Sequence, residues 1–390
     1  MIVIADDITG AAEMAGIAHQ HGLSVRLSIA GSLCCDRGAA ERTDVLVIVT
    51  DTRSMTEEEA VHETLRITSH LSPLTSHLFK KTDSALRGHV VAELSALMQT
   101  TGYQRAIYLP ANPSKGRIIR NGCYYIKEVR GEKSEVREVP IHETAFSYDP
   151  EFPAKTSVLK ERFPDAEAHH ILMPDAETTA DIQHIVTAND DGHTLFAGAA
   201  DLFETYLGVR GKRLEVRDMS ESKNYPLTSH LSPLTSQLST LNSKSTLFLC
   251  GSTQSKPLDL GFPVTPMPIA IYDGSEDIAP WLKEAEKLYE QQGSLMITIP
   301  HHHRTGKEVA IHLREMTARL IHHLVEKRLP QQLIIEGGAS AFATLQHLGW
   351  NELEVVCQIA PGVIKTKAPN GTFVIMKPGS YPWGHLTSYL

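Results

Sequence analysis

Met1-Ile-Val-Ile-Ala-Asp-Asp-Ile-Thr-Gly-Ala-Ala-Glu-Met-Ala-Gly16 opens the chain, and its reading decides the fold. Ile2–Ala5 is a short apolar run of the kind that forms a buried parallel strand. Asp6 and Asp7 follow at once, then Thr9 and Gly10. Residues 11–21 are good helix formers that stop at Gly22. Strand, acidic turn and helix are the start of a βαβ unit. In open α/β sheets ligands bind beyond the carboxyl ends of the strands, where Asp6 and Asp7 fall.

Working outward, the same alternation continues. Strands are expected at 24–29, 44–50, 78–79, 105–109, 170–173 and 194–197, with helices at 57–66, 89–99 and 181–187. Strands alternating with helices imply a mostly parallel sheet covered on both faces. Residues 121–140 alternate at period two around Arg130-Gly131-Glu132, which predicts a β-hairpin outside that sheet. Residues 218–245 are rich in Ser and Thr and read as a linker. A second α/β region follows, with strands at 246–250, 294–299 and 332–335, helices at 280–292 and 307–327, and a short polar helix after Gly251-Ser252-Thr253. Its β-rich end carries Asn370-Gly371, a hairpin signal. The expected fold class is α/β: two α/β domains, 1–217 and 246–390, with mostly parallel sheets and the active site in the cleft between them. The nine residues Thr-Ser-His-Leu-Ser-Pro-Leu-Thr-Ser at 68–76 recur at 228–236 with no similarity around them, and read as tolerated surface insertions.

Composition narrows the function. A net charge of -9 over 390 residues gives no electrostatic footprint for nucleic acid or an anionic membrane, so neither is an expected partner. No apolar run approaches the ~18 residues that span a bilayer. Five cysteines without C-x-x-C spacing read as reduced thiols, and no leader-like segment stands before the first strand; the expected location is the cytoplasm.

Four loops are expected at the carboxyl edge of the first sheet. They carry Asp6 and Asp7, Asp51 and Arg53, residues 80–88, and residues 112–117. The cations Arg53, Lys81, Arg87, Lys115 and Arg117 call for an anion, and arginine forks suit a carboxylate or phosphate. Thr82, Asp83 and Ser84 sit between a strand and a helix, where helix amides would add anion affinity. Aspartates on the same edge can orient a hydroxyl or accept its proton. Each of Asp6, Thr9, Asp51, Asp83 and Ser84 alone would serve as an ordinary cap or turn residue, and Lys80 and Arg87 as a solvated face. In the second half, Gly251-Ser252-Thr253 and Glu336-Gly337-Gly338-Ala339-Ser340 are small-residue turns between strand and helix that let backbone amides approach phosphate, with Pro361-Gly362 and Lys377-Pro378-Gly379 as further walls. Neither a P-loop nor a dinucleotide fingerprint is present. Asp6-Asp7-Ile8 lacks the D-x-D spacing of an aspartyl-phosphate enzyme, and His301-His302-His303 lacks the H-E-x-x-H pattern of a zinc site.

These residues resemble the four-carbon acid sugar kinases. The resemblance rests on Ile4-Ala-Asp-Asp-Ile-Thr-Gly-Ala11, Asp51-Thr-Arg53, Lys80-Lys-Thr-Asp-Ser-Ala-Leu-Arg-Gly88, Pro110-Ala-Asn-Pro113 with Gly116-Arg117, Cys250-Gly-Ser252 and Gly337-Gly338. It implies ATP-dependent phosphorylation of a terminal hydroxyl on an acid such as threonate, erythronate or 3-oxo-tetronate, with the acid in the first domain and ATP in the second. It further implies Asp6, Asp7 or Asp83 as the catalytic carboxylate. Asp7, Arg53, Lys81, Thr82, Asp83, Ser84, Arg87, Asn112 and Arg117 are expected at the acid. Ser252, Gly337, Gly338, Ala339, Ser340, Gly362 and Gly379 are expected at ATP. Mg²⁺ would bridge the phosphates with few protein ligands, and no protein metal ligand is assigned. The chain departs from the family pattern at Glu13, where many members carry Asp, at Ala339-Ser340-Ala341, where Glu-Thr-Ala is commoner, and at 377–384, where Lys-x-Gly-Asn-Phe-Gly is usual. Two other function classes fit less well: a non-catalytic sugar-acid sensor and a nicotinamide-dependent dehydrogenase. The residues leave a homo-oligomer open.

Overall fold

The computed structural model describes residues 1–29, 43–69, 71, 77–130, 135–149, 151–220, 245–251, 258–300, 306–379, 381–384 and 386–389. Ser252 and the polar helix expected after it, Gly131 and Glu132, the linker beyond residue 220, most of the repeated nonapeptides, and His301 to His303 lie outside them.

The first region is built from β1 (Ile2–Ala5), β2 (Val25–Ile29), β3 (Val45–Val49), β4 (Leu78–Lys81) and β5 (Arg105–Leu109). A side sheet of β6 (Arg117–Arg120), β7 (Cys123–Arg130) and β8 (Glu135–Pro140) follows, then β9 (Ile171–Leu172) and β10 (Thr194–Gly198). The second contains β11 (Thr246–Cys250), β12 (Val264–Pro266), β13 (Ser294–Thr298), β14 (Gln332–Glu336), β15 (Glu352–Ala360), β16 (Val363–Lys367) and β17 (Phe373–Lys377). The longer helices are α1 (Ile8–Gln20), α2 (Glu57–Ser69), α3 (Val90–Thr101), α4 (Thr179–Asn189), α5 (Ala200–Ser220), α6 (Ala279–Gln292), α7 (Lys307–Lys327) and α8 (Gly338–His347). Helix α5 covers 218–220, the first residues of the expected linker.

Both regions are doubly wound, but their sheets are not separate. Apart from the side sheet β6-β7-β8, the described strands form one 14-stranded sheet in the order β12-β13-β11-β14-β17-β16-β15-β2-β3-β1-β4-β10-β5-β9. Two parallel runs are joined by the antiparallel strands β16 and β15, and β15 pairs with β2, Glu352 opposite Ser28 and Glu354 opposite Arg26. The apolar run of β1 is buried at every residue, as a central parallel strand with helices on both faces requires. Asn370-Gly371 does close the β16–β17 hairpin, and the period-two stretch does form β7 and β8, with β6 as an unforeseen third strand.

The join positions α1. This helix packs on its own sheet and also on β15, β16 and α8 from the second region. Gly16 allows that approach: a Cβ there would stand 2.5 Å from Oε1 of Gln358 on β15. The small residues after the acidic turn therefore serve close packing, and the carboxyl ends of β1 and β14 are brought to one place.

Candidate active site

The site is organised by one guanidinium. Beyond β3, Asp51 takes a left-handed backbone conformation (φ 54°), which Asp tolerates better than most residues, and a single helical turn at Thr52–Ser54 swings Arg53 over β1. Arg53 grips Asp6 with two donors, Nε to Oδ2 at 3.0 Å and Nη2 to Oδ1 at 2.8 Å. Its Nη1 donates to Oδ2 of Asp7 at 2.9 Å and stands 3.8 Å from Asp83. Burial opposes charge on Arg53, but the carboxylates of Asp6, Asp7 and Asp83 outweigh it and hold the guanidinium well above its ordinary pKa. An arginine so committed organises the pocket and has little left for an outside anion. The other oxygen of Asp7 caps α1, accepting from the Gly10 amide at 2.8 Å, so the helix begins at Ile8 rather than near residue 11. Gly10 is required for clearance: a Cβ would lie 2.8 Å from Oδ1 of Asp7 and 3.1 Å from Nζ of Lys81.

Adjacent residues of β4 divide the labour. Lys80 is no solvated lysine; its side chain is 1% exposed and pairs with the equally buried Glu93 of α3. Glu93 also accepts from Thr52 Oγ1 at 3.0 Å, and Thr52 meets Thr50 at 2.8 Å. This buried network fixes the β3 turn that carries Arg53. Lys81 points the other way, donating to the Thr82 carbonyl at 2.8 Å and standing 3.7 Å from Glu13.

The loop after β4 differs from expectation in one respect. Helix α3 starts at Val90, so the amides of residues 82–84 are not its N-terminal donors. Instead Asp83 folds the loop on itself. It accepts from the Ala85 amide at 2.9 Å and takes both forks of Arg87 at 2.9 and 3.0 Å. Burial would raise the pKa of Asp83, but Arg53 and Arg87 hold it far below the usual carboxylate range. So saturated a carboxylate is a poor proton acceptor, which argues against the catalytic role expected for it. Arg87 is in turn an internal partner of Asp83. Thr82 is buried and its hydroxyl finds no hydrogen-bond partner among the described residues. Ser84 receives Nη1 of Arg117, and its carbonyl receives the Tyr124 hydroxyl.

Asn112, expected at the acid, is a staple of the next loop: it is 1% exposed and its Oδ1 accepts from the Asp201 amide at 3.2 Å. Arg117 is different. It donates to Ser84 and lies over the Phe146 ring at 5.5 Å, and among the described residues no carboxylate comes within ion-pair range. It is the pocket cation best able to receive an external anion.

The second region presents its glycine turn to this edge. Gly337 (φ 104°) donates to the Lys377 carbonyl at 2.8 Å and precedes α8, whose first residue Gly338 meets α1. A Cβ on Gly338 would stand 2.5 Å from Thr9 Oγ1. Gly251 approaches Ser340 so closely that a Cβ would overlap its side chain. Ala339 and Ser340 form the first turn of α8. Gly379 offers its carbonyl to Lys377 at 3.1 Å, and Gly362 (φ 73°) turns β15 into β16 beneath the Tyr381 ring. At Gly338 and Gly251 the missing side chain is what permits these close approaches. The described residues contain no group of three or more His, Cys, Asp or Glu placed to hold a metal.

Several contacts of the site were not foreseen from the sequence. Asp51 lines a cavity of about 740 Å³ between α2, α7 and α8, together with Arg314. Burial pushes its carboxyl up to about 6, against the Ser54 hydroxyl and Arg314. Glu336 and Lys377 form a second buried ion pair at 2.7 Å beneath the glycine turn. Glu93 had a detectable signal: it lies on the same buried face of α3 as Val90, Leu94 and Leu97. A carboxylate on an apolar stripe implies a buried partner.

Comparison with known proteins matches residues 1–168 to a sugar-binding N-terminal domain and residues 266–381 to a nucleotide-binding C-terminal domain. The chain is 32% identical over 164 residues to a D-threonate kinase of Salmonella typhimurium, covering 41% of this chain and 35% of that protein. It is 29% identical over 144 residues to a 3-oxo-tetronate kinase of Haemophilus influenzae, covering 36% of this chain and 34% of that one. The matched stretches thus span about a third of these relatives' lengths. A solved Haemophilus influenzae protein shares the fold with a TM-score of 0.65 at 20% identity, over 100% of this chain and 98% of its own.

Proposed function

We propose that this chain, which belongs to the four-carbon acid sugar kinase family through its sugar-binding and nucleotide-binding domains, transfers the γ-phosphoryl group of ATP to the terminal hydroxyl of a four-carbon sugar acid. The observation that carries this reading is the contact of Gly338 with Thr9, which sets the glycine turn of the second domain against the acidic turn of the first. A donor phosphate on that turn would face a hydroxyl held at the aspartates.

The chain's own groups divide as follows. Arg117 receives the acid's carboxylate, and the Thr82 hydroxyl, without a partner among the described residues, completes a hydrogen bond to the substrate. Of the paired aspartates, Asp6 is clamped by both forks of Arg53 and its side chain is 3% exposed, whereas that of Asp7 is 20% exposed. Asp7 therefore positions the attacking hydroxyl and takes its proton as the new P–O bond forms and the bond to the ADP oxygen breaks. Arg53 orients Asp7 through its Nη1 donor. Gly338, Ala339 and Ser340, in the first turn of α8, supply amides to the donor phosphates, the Gly337 amide being held by the Lys377 carbonyl. When bound, Mg²⁺ would neutralise charge on the transferring phosphoryl group. Transfer of this kind rests on positioning and charge stabilisation, and the preformed Arg53 cluster provides the positioning.

The test is ADP release with ATP, Mg²⁺ and a panel of four-carbon sugar acids, threonate, erythronate and 3-oxo-tetronate among them. The reading requires stimulation by at least one acid and a drop of roughly 10²–10⁴-fold for Asp7→Asn, the usual range for loss of a general base. Acid binding by calorimetry without any ADP release would make the protein a sensor instead.

A further inference from the structure

Lys377 of β17 is 1% exposed in its side chain and pairs with Glu336 at the end of β14 at 2.7 Å. Its ammonium also donates to the carbonyls of Pro378, Gly379 and Tyr381 at 2.8, 3.1 and 2.7 Å. The segment after β17 is thus wrapped around a buried charge, which leaves its backbone little freedom. Tyr381 leaves this wrap with its ring against Gly362, where a Cβ would lie 2.7 Å from the ring edge. The hydroxyl then reaches the first domain. Lys115, in the loop after β5, donates to it at 3.0 Å and lies 4.9 Å from the ring centre. The same ammonium pairs with Glu13 of α1, which faces Lys81 on its other side. Six side chains therefore link the strand end that precedes the glycine turn to the wall of the acid pocket.

Resting on the kinase reading, we infer that Tyr381 is a positioning residue that ties the nucleotide domain to the acid pocket by holding the Lys115 ammonium at the pocket mouth. Lys115 has 34% of its side chain accessible, so its place depends on the groups that grip it. Glu13 alone would draw it inward onto α1. The Tyr381 hydroxyl opposes that pull from the second domain, and the Gly362 contact fixes where the hydroxyl stands. A substrate anion entering the pocket then meets a cation whose position the nucleotide domain sets. The residue type matters here: phenylalanine would keep the ring and lose the link.

The experiment is a double-mutant cycle of Tyr381→Phe and Lys115→Met, read as kcat and KM for the acid and for ATP. The expected result is a fall of about three- to tenfold in kcat/KM for the acid in Tyr381→Phe, with KM for ATP unchanged. Lys115→Met should fall at least as far, and the double variant no further than Lys115→Met alone. Wild-type kinetics in Tyr381→Phe, or effects that simply multiply in the double variant, overturn the inference. So does a loss of thermal stability with no coupling in kcat/KM, which would mark a merely structural tyrosine. If the wild type turns over no acid, the kinase reading fails on its own. The cycle is then read in urea unfolding free energies, where coupling upholds the Tyr381–Lys115 link and additivity refutes it.

Discussion

Asp51→Asn is expected to stabilise the protein, and to do so only where the carboxyl would be charged. Asp51 sits at the carboxyl end of β3 in a left-handed conformation, and burial lifts its pKa from 3.8 to about 6. A carboxyl raised in the folded state binds its proton more tightly there than in the unfolded chain. Its ionised form therefore costs stability: the cost is full above about pH 6, shrinks as the pH falls between the two values, and is gone below the unfolded value. A rise of about two pH units corresponds to ~3 kcal/mol at pH 8, and to about half of that at pH 5. Asparagine removes the charge, still accepts from the Ser54 hydroxyl and tolerates left-handed backbone well. Urea unfolding of both proteins at pH 8 and pH 5 measures the difference. A gain of ~2–3 kcal/mol at pH 8 that falls by about half at pH 5 supports the reasoning. A destabilised variant, or a gain independent of pH, refutes it, because it would mean that Arg314 and Arg53 already compensate the buried charge.

Other perturbations follow from the same contacts. Lys80→Met strands Glu93 in the core and should cost about 3–5 kcal/mol in denaturant unfolding, while Lys80→Met/Glu93→Leu should recover most of it; a loss below about 1 kcal/mol in the single variant would show that the pair is not buried as described. Gly338→Ala places a Cβ 2.5 Å from Thr9 Oγ1 and should cost about 1–3 kcal/mol, with Thr9→Ala restoring it in the double variant. If Gly338→Ala melts like the wild type, α1 and α8 do not meet as described. Arg53→Ala should abolish turnover and also destabilise the protein by about 3–5 kcal/mol, since the buried Asp6 carboxylate loses both donors of its partner; a fully stable variant would show that the cluster is not held by this guanidinium.

The alternation of strands and helices was legible because period and punctuation are local properties. Lys307–Lys327 matches its expected bounds, and Asn370-Gly371 makes its hairpin. The fusion of the two sheets was not legible. It depends on β15 pairing with β2 across more than 300 positions, and no local pattern in either strand encodes its partner. At the site, the sequence placed Asp6, Asp7, Arg53 and the 80–88 loop on one edge, and the structure brings them together. It could not show how they satisfy one another. Cations counted as available for an anion are largely spent on Asp6, Asp7, Asp83 and Glu13, whereas Arg117 has no carboxylate within ion-pair range among the described residues. Glu93 behind Lys80 and Tyr381 over Lys115 belong to the same class of fact, visible only once distant segments are adjacent.

The most direct measurement of the central claim is ³¹P NMR of the wild-type protein with ATP, Mg²⁺ and the acid that best stimulates ADP release, beside Asp7→Asn. The account predicts a phosphomonoester resonance, coupled to the acid's terminal carbon protons, that grows in step with ADP in the wild type and is absent in the variant. ADP accompanied only by inorganic phosphate, or a phosphoester formed equally fast by Asp7→Asn, would contradict it.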